Sequence, residues 1–228
     1  MKIIIINGSP RLKGATGQIL RKIKNSLVEI DSSLDIEYID LGKMNIQLCN
    51  GCLTCYKTGH CSIKDDGLED LSKKMESSDG IIFSSPTYVT NVSGHFKVLM
   101  DRCHFVFERL LYNKACFSVV TYENYGGGKA EKVINELIRN SGGSVSCQYL
   151  LKLNHNNKAI NNKEEIEISK LSKKFLLKVK KDNPLSIYER ITRKISFNIG
   201  IKPHVLRNKN RYEGIIDRWT KNGHYINK

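Results

Sequence analysis

Two groups of residues in this chain carry side chains whose types and spacing could do chemistry. The first is Cys49-x2-Cys52-x2-Cys55-x5-Cys61, four thiols within thirteen residues. Three thiols at two-residue intervals can wrap one face of a soft metal centre, and Cys61 can return to it after the turn allowed by Gly59. The second is Asn7-Gly8-Ser9-Pro10-Arg11-Leu12-Lys13-Gly14-Ala15-Thr16, a loop with two glycines, two hydroxyls and two cations. It follows four consecutive isoleucines, Ile3 to Ile6, and precedes the helical pattern Ile19, Leu20, Ile23, Leu27 and Val28. A strand, a small-residue loop and a helix start together offer unpaired backbone N–H groups and a helix dipole to an anion. The expected ligand of that loop is a phosphate.

Which phosphate is narrowed by the motifs that are missing. The dinucleotide fingerprint G-x-G-x-x-G does not occur here. Gly8 and Gly14 are one residue too far apart for G-x-x-x-x-G-K-[ST], and Ala15 stands where that motif requires lysine. A hydroxyl-rich loop opening the first helix of an α/β sheet suits the phosphate monoester of FMN. An ordinary strand-to-helix turn is the plainer reading. The cysteine run resembles the iron–sulfur runs of ferredoxins, with a longer last gap and no closing proline. Four thiolates also suit structural zinc, and free or redox-active thiols form a third reading.

The elements that must position these groups follow from periodicity. The isoleucine run reads as a strand buried on both faces of a parallel sheet. Further strands are expected at Leu34 to Leu41, Gly80 to Ser84, Ala115 to Val120 and Val145 to Leu151. Between them, Asp66-Gly67-Leu68-Glu69 has the spacing of a capping box. Other helices are expected from Ser93, from Ala130 to Asn140, and from Lys163 to Lys181. Five strands alternating with helices predict a doubly wound α/β parallel sheet whose loops after strands one, three and four meet at one crevice. Beyond it, Asn183-Pro184 reads as a helix opening, Ile187, Ile191 and Ile195 as one stripe, and Pro203 as a break. The predicted division is 1–182 for the sheet domain, including the cysteine-rich loop 48–66, and 183–228 for a helical extension packed on the core or on a second subunit.

Three motifs occur in order: Gly8-Ser9-Pro10-Arg11-x-x-Gly14-x-Thr16, the cysteine run with Asp65-Asp66 behind it, and Ser85-Pro86-Thr87-Tyr88 with Lys97 and Asp101-Arg102 downstream. Together they resemble the NADPH-dependent FMN reductase family, most closely its iron–sulfur flavoprotein branch, over residues 1 to about 150. The resemblance implies a flavodoxin-like fold and an FMN-dependent oxidoreductase. It implies FMN on Ser9, Pro10, Arg11, Lys13, Ala15, Thr16, Gly17 and Gln18, with the ring against Pro86, Thr87 and Tyr88 and bordered by Tyr122, Gly126 and Gly127. It further implies a [4Fe–4S] cluster on Cys49, Cys52, Cys55 and Cys61 near the flavin of a neighbouring subunit, hence a homodimer or homotetramer. The family usually has asparagine where this chain has Ala15, so one phosphate contact here must come from backbone alone. Expected electron donors are NAD(P)H or a ferredoxin-like protein; expected acceptors are a quinone, a nitro or azo compound, or an oxygen species. A reductase of the same kind without a cluster is the alternative.

The net charge of +14 is uneven: residues 151–228 contribute +12 of it. Such a basic region attracts nucleic acid or anionic membranes, or is a solvated lysine-rich surface. No recognition-helix signature lies between 183 and 228, so a nucleic-acid-binding sensor ranks far behind an enzyme. No apolar run reaches membrane-spanning length, and the N-terminal apolar stretch is too short for a secretory signal. A cytoplasmic protein with unpaired thiols is expected. Cys103, Cys116 and Cys147 fall at apolar positions and read as small buried hydrophobes. Asn91 and Ser93 read as helix caps; His95 and His104 read as structural.

Overall fold

The computed structural model describes residues 1–154, 160–181 and 184–223. Five strands, β1 (Lys2–Asn7), β2 (Asp35–Asp40), β3 (Gly80–Pro86), β4 (Ala115–Tyr122) and β5 (Ser144–Lys152), form one parallel sheet in the order β2-β1-β3-β4-β5. The helices are α1 (Ala15–Ile30), α2 (Thr54–Thr58), α3 (Leu68–Ser77), α4 (Gly94–Arg102), α5 (Phe105–Glu108), α6 (Gly127–Asn140) and α7 (Asn162–Val179). They are followed by α8 (Ile187–Ile195), α9 (Lys202–Arg207) and α10 (Glu213–Lys221).

The isoleucine run explains the layering. Side chains alternate across a strand, so Ile4 and Ile6 enter one core with α3, α4 and α6, while Ile3 and Ile5 enter the other with α1 and α7. All four isoleucines are completely buried. A central parallel strand needs apolar side chains on both faces, which is why the run has no polar interruption. The doubly wound fold expected from the sequence is the one observed.

Several local expectations are corrected. Asp66 does not form a capping box: Gly67, at φ 75°, is the residue before α3, and Asp66 takes Leu68 N–H on Oδ1 and the Arg102 guanidinium on Oδ2. Helix α6 begins three residues before the expected Ala130, because Gly126 turns at φ 84° and the glycines enter the helix. Asn183 lies outside the described residues, and α8 is opened by Ser186, whose capping box with Glu189 supplies the first-turn acceptors. Pro203 does not break the pattern. The chain passes from α8 through a π-helical turn, Ser196–Ile201, into α9, and Pro203 falls in the first turn of α9, where its missing N–H costs little.

The extension folds back on the sheet domain. Phe197, Val205, Tyr212, Ile215 and Trp219 form a third apolar cluster, joined by Tyr56 of α2 and Phe107 of α5. Tyr56 and Tyr212 stack at 5.1 Å, Phe107 and Tyr212 at 5.6 Å, and Trp219 Nε1 donates to Phe107 O at 2.6 Å.

Candidate functional site

At the carboxyl edge of the sheet, the loops after β1, β3 and β4 enclose a cavity of about 460 Å3, within the range of roughly 300–1,000 Å3 usual for small-molecule sites. One wall is the turn from β1 into α1. Gly8 is needed there because a Cβ would lie 2.5 Å from Ser84 O, and Gly8 N–H donates to that same oxygen at 3.0 Å. Asn7 Oδ1 accepts from Ser9 N–H at 3.1 Å, and its Nδ2 donates to Asp40 at 2.7 Å. Ser9 Oγ accepts from Arg11 N–H at 3.2 Å. Helix α1 then opens at Gly14 with no side-chain cap and no acidic residue in its first turn. Its first N–H groups have no intrahelical acceptors, and they face a cavity lined by Ser9, Arg11, Gly14, Ala15 and Thr16. The arrangement suits a phosphate.

The opposite wall is Pro86 to Thr90. Thr87 N–H donates to Thr121 O at 2.8 Å, and Tyr88 and Asn91 exchange two backbone hydrogen bonds around Val89 and Thr90. Both turn residues have positive φ, 47° and 61°, uncommon for β-branched side chains, and the surrounding bonds hold them there. Ser93, tied to Gly8 O and Ser85, caps α4 by accepting from Phe96 N–H. Asn91 does not cap the helix; its Oδ1 accepts from Val92 N–H. Thr121 joins the walls: its hydroxyl meets the buried Thr16 hydroxyl at 2.8 Å.

Of the residues the sequence assigned to the cofactor, Ser9, Arg11, Ala15, Thr16, Pro86, Thr87, Tyr88 and Tyr122 line this cavity together. The others stand outside it. Pro10 packs near Gly42, Lys13 is exposed, and Gln18 donates to Lys13 O. Gly17 is buried where a Cβ would meet Leu12 O. Gly126 and Gly127 support the wall from behind, for a Cβ on either would strike Thr90 or the Tyr122 ring. Glu123, Asn124 and Tyr125 line the cavity from the loop between Tyr122 and Gly126; Thr121 lines it without having been singled out, though it could have been, as a hydroxyl at the end of an apolar strand. Tyr88 is not core, being 39% exposed at the cavity. The residues present fit FMN on one particular observation. Thr87 Oγ1 is buried in the cavity wall with no hydrogen-bond partner, so a polar ligand would satisfy it.

The four-cysteine loop lies elsewhere. Its base is buried and pinned by Arg102, which donates to Gln47 O at 2.6 Å and pairs with Asp66 at 2.9 Å; the two side chains are 1% and 4% exposed. The Cys61 thiol lies against the same guanidinium. The tip turns through Gly51, Leu53 and Gly59, all at positive φ. Cys49 and Cys52 are exposed, Cys55 and Cys61 half-buried. A hydrogen bond with the Ser62 hydroxyl, helped by Thr54, lowers the Cys52 thiol to about 7. Cys55 sits beside His104. Burial alone would lower that imidazole, but Cys55 and Glu108, with His104 Nδ1 to Glu108 Oε1 at 3.2 Å, hold it at about 10. The His104–Glu108 pair, four residues apart, was not singled out in the sequence. Among the described residues no three such side chains come close enough to clamp a metal ion. The donor set fits a soft metal centre chemically, while the fold holds the thiols on one segment without gathering them. Cys103, Cys116 and Cys147 are buried, as expected.

The extension is what covers this loop. Gly214 of α10 meets Thr58 and Gly59 backbone to backbone, an approach that leaves no room for a Cβ. Arg218 pairs with Glu76 at 2.8 Å and with Glu108 at 3.3 Å.

Comparisons with known proteins agree with this geometry. Residues 1–155 match the family model described as NADPH-dependent FMN reductase. An iron–sulfur flavoprotein of Clostridioides difficile (strain 630) is 40% identical over 98% of this chain and 99% of its own. One from Methanocaldococcus jannaschii is 41% identical over 45% of this chain and 51% of its own. Among solved structures, a flavone reductase superposes with a TM-score of 0.64 at 16% identity, covering 79% of this chain and 63% of that one. An archaeal flavodoxin gives 0.53 at 18% identity, covering 79% and 100%. At those identities the structures speak to fold only. The chain belongs to the NADPH-dependent FMN reductase family, in its iron–sulfur flavoprotein branch.

Proposed function

We propose that this protein is an FMN-dependent oxidoreductase that takes electrons from NAD(P)H or a reduced ferredoxin-like donor and delivers them to a small acceptor such as a quinone, a nitro or azo compound, or an oxygen species. The observation that carries this reading is the cavity where Ser9, Arg11, Thr16 and the uncapped start of α1 face the unpartnered Thr87 hydroxyl. Bound there, FMN supplies an acceptor of two electrons that can be given up one at a time. The protein's own share is orientation and exclusion of water. Arg11 and the α1 N–H groups neutralise the phosphate, Thr16 and Thr121 lock the two walls together, and Pro86 to Tyr88 form a rigid surface for the ring. None of these groups needs to move a proton.

Cys49, Cys52, Cys55 and Cys61 would hold a [4Fe–4S] cluster, which supplies one-electron transfer. The exposed loop tip is consistent with a site completed across subunits of a homodimer or homotetramer, in the cytoplasm. A cluster-free reductase is the second reading, favoured by the ungathered thiols. Anaerobic purification with an absorbance spectrum and iron and sulfide counts decides between them. The first reading predicts flavin bands, a broad shoulder bleached by dithionite, and about four iron and four sulfide per chain. The second predicts a yellow protein without iron. A colourless protein that does not take up added FMN would overturn both.

A further inference from the structure

Beside α8 lies a cavity of about 760 Å3, with Phe197 of the third apolar cluster in its wall. Arg109 and Arg193 line it together with Arg190, Lys194, Ile187 and Ile191. Arg109 is only 7% exposed. Its guanidinium lies 4.0 Å from the Phe197 ring centroid and 4.4 Å from that of Tyr112. Among the described residues no carboxylate, and no hydrogen-bond acceptor, meets it. A buried cation is ordinarily paired, so this one is held by aromatic faces with its donors left over. Burial pulls it down to about 10, with the neighbouring Arg193 adding to the effect. Arg193 is fixed by Asn113 Oδ1 at 2.6 Å, and its guanidinium also lies 4.4 Å from the Tyr112 ring centroid. Glu189 of the same helix is turned inward and spent on Ser186, Ser144 and Val145 N–H.

Ile187 and Ile191 at the cavity begin an exposed apolar stripe that runs on beyond it. Ile187, Ile191, Ile195 and Ile199 are 76%, 54%, 52% and 74% exposed, at uniform four-residue spacing. On an α-helix that spacing drifts by about 40° per step. The wider π-helical turn at Ser196–Ile201 turns less per residue and brings Ile199 back toward the line of Ile191. Tyr188, also exposed, flanks the stripe on one side; Arg190 and Lys194 flank it on the other, and neither is matched by an acid among the described residues.

We propose that this cavity takes the phosphate headgroup of an anionic phospholipid, with the isoleucine stripe entering the acyl region, so that the protein docks on an anionic membrane surface. The commitment to lipid rests on charge and shape together. A second copy would bring the same cations against each other. A nucleic acid would match the cations but leave four isoleucines facing phosphates. An interfacial helix needs this combination of an apolar stripe, flanking cations and an aromatic at the boundary. No described helix is long and apolar enough to cross a membrane, so the contact is peripheral. It stands independently of the flavin cavity.

The test is sedimentation of the purified holoprotein with vesicles of phosphatidylcholine alone or with about 30% phosphatidylglycerol, at low and high salt. Expected is at least roughly tenfold tighter binding to the anionic vesicles, weakened by salt. The substitution pair Ile187→Asn and Ile191→Asn, both exposed, should abolish sedimentation while the protein still binds a water-soluble short-chain phosphatidylglycerol headgroup. Arg190→Glu with Lys194→Glu should remove the preference for anionic vesicles, and Arg109→Met should lose the soluble headgroup as well. Flavin content and Trp219 fluorescence check that each variant folds, and the four surface substitutions keep the test valid should Arg109→Met fail that check. Equal binding to neutral and anionic vesicles would overturn the proposal. So would binding of inorganic phosphate without any vesicle binding, or a dimer lost in the isoleucine variant with vesicle binding unchanged.

Discussion

The flavin cavity and the cysteine loop are both surface sites, yet they are held in opposite ways. The cavity is made at strand ends: each wall begins at a fully buried residue of β1, β3 or β4, and the walls are bonded to each other through Gly8–Ser84, Thr87–Thr121 and Thr16–Thr121. Its geometry is inherited from the sheet. The cysteine loop is pinned at its base by a single arginine and covered at its flank by a segment more than 140 positions later in the chain. A site grown from the core is preassembled; a site clamped from outside is adjustable, because changing the clamp changes the loop and leaves the sheet alone. A cradle of fixed shape comes from the first construction, and a loop of exposed thiols from the second.

That contrast breaks most sharply at Arg102. Arg102→Met leaves Asp66 charged, buried and unpaired, and frees Gln47 O and Ile63 O. Removing one partner of such a pair costs about 3–5 kcal/mol, read as a lower midpoint in urea unfolding. The base of the cysteine loop should open with it, seen as faster alkylation of Cys61. An unchanged midpoint would show that the pair does not hold the loop.

Gly214→Ala tests the clamp. The added methyl collides with the Gly59 backbone, and α10 must lift from α2. Overpacking of this kind costs about 1–3 kcal/mol. Expected are faster Cys55 alkylation in the metal-free protein, less iron in protein made anaerobically, and FMN affinity within error of the parent. A matching loss of FMN affinity would mean that the two regions are not mechanically separate.

Thr16→Val makes the reciprocal perturbation. It removes the buried hydroxyl contact with Thr121 and one candidate phosphate donor while keeping the shape. The expected loss is about 1–2 kcal/mol of FMN binding, or roughly tenfold in Kd, measured by quenching of flavin fluorescence. Cysteine alkylation rates should not move.

How much of this was legible in the sequence follows the same division. Ile3 to Ile6 could only be a strand buried on both sides, and a hydroxyl-rich turn directly after it belongs to the crevice of a parallel sheet, so the cavity's first wall was readable from local pattern. The assigned residues that do not line the cavity are neighbours of residues that do. Gly17 and Gln18 rotate away because a helix turns its side chains about 100° per residue, while Gly126 acts by being small behind Thr90 and Gly127 behind Tyr122. The cysteine loop showed four thiols at ligand-like spacing but not its support. Tyr56 with Tyr212, Gly59 with Gly214 and Glu108 with Arg218 are long-range pairs that no local period records. Pro203 misled for a related reason: a π turn before it absorbs what would otherwise be a break.

The smallest effect concerns the far end of the helix that follows the cysteine loop, where Lys74 of α3 ties to Glu37 of β2. The hydrogen bond from Lys74 holds the Glu37 carboxyl below its usual 4.5, against the opposing effect of burial. A carboxylate whose folded pKa is depressed adds stability that is fully present above the unfolded value. That stability disappears as pH falls through the lower, folded value. Glu37 is 30% and Lys74 44% exposed, so solvent screening keeps the contribution small, below about 1 kcal/mol. Comparing Glu37→Gln with the parent, the difference in unfolding midpoint should be present at neutral pH and vanish at the acid end, below pH 4.5. It should shrink with added salt. A difference that persisted in acid would place the effect in packing of β2 against α3 and not in the charge on Glu37.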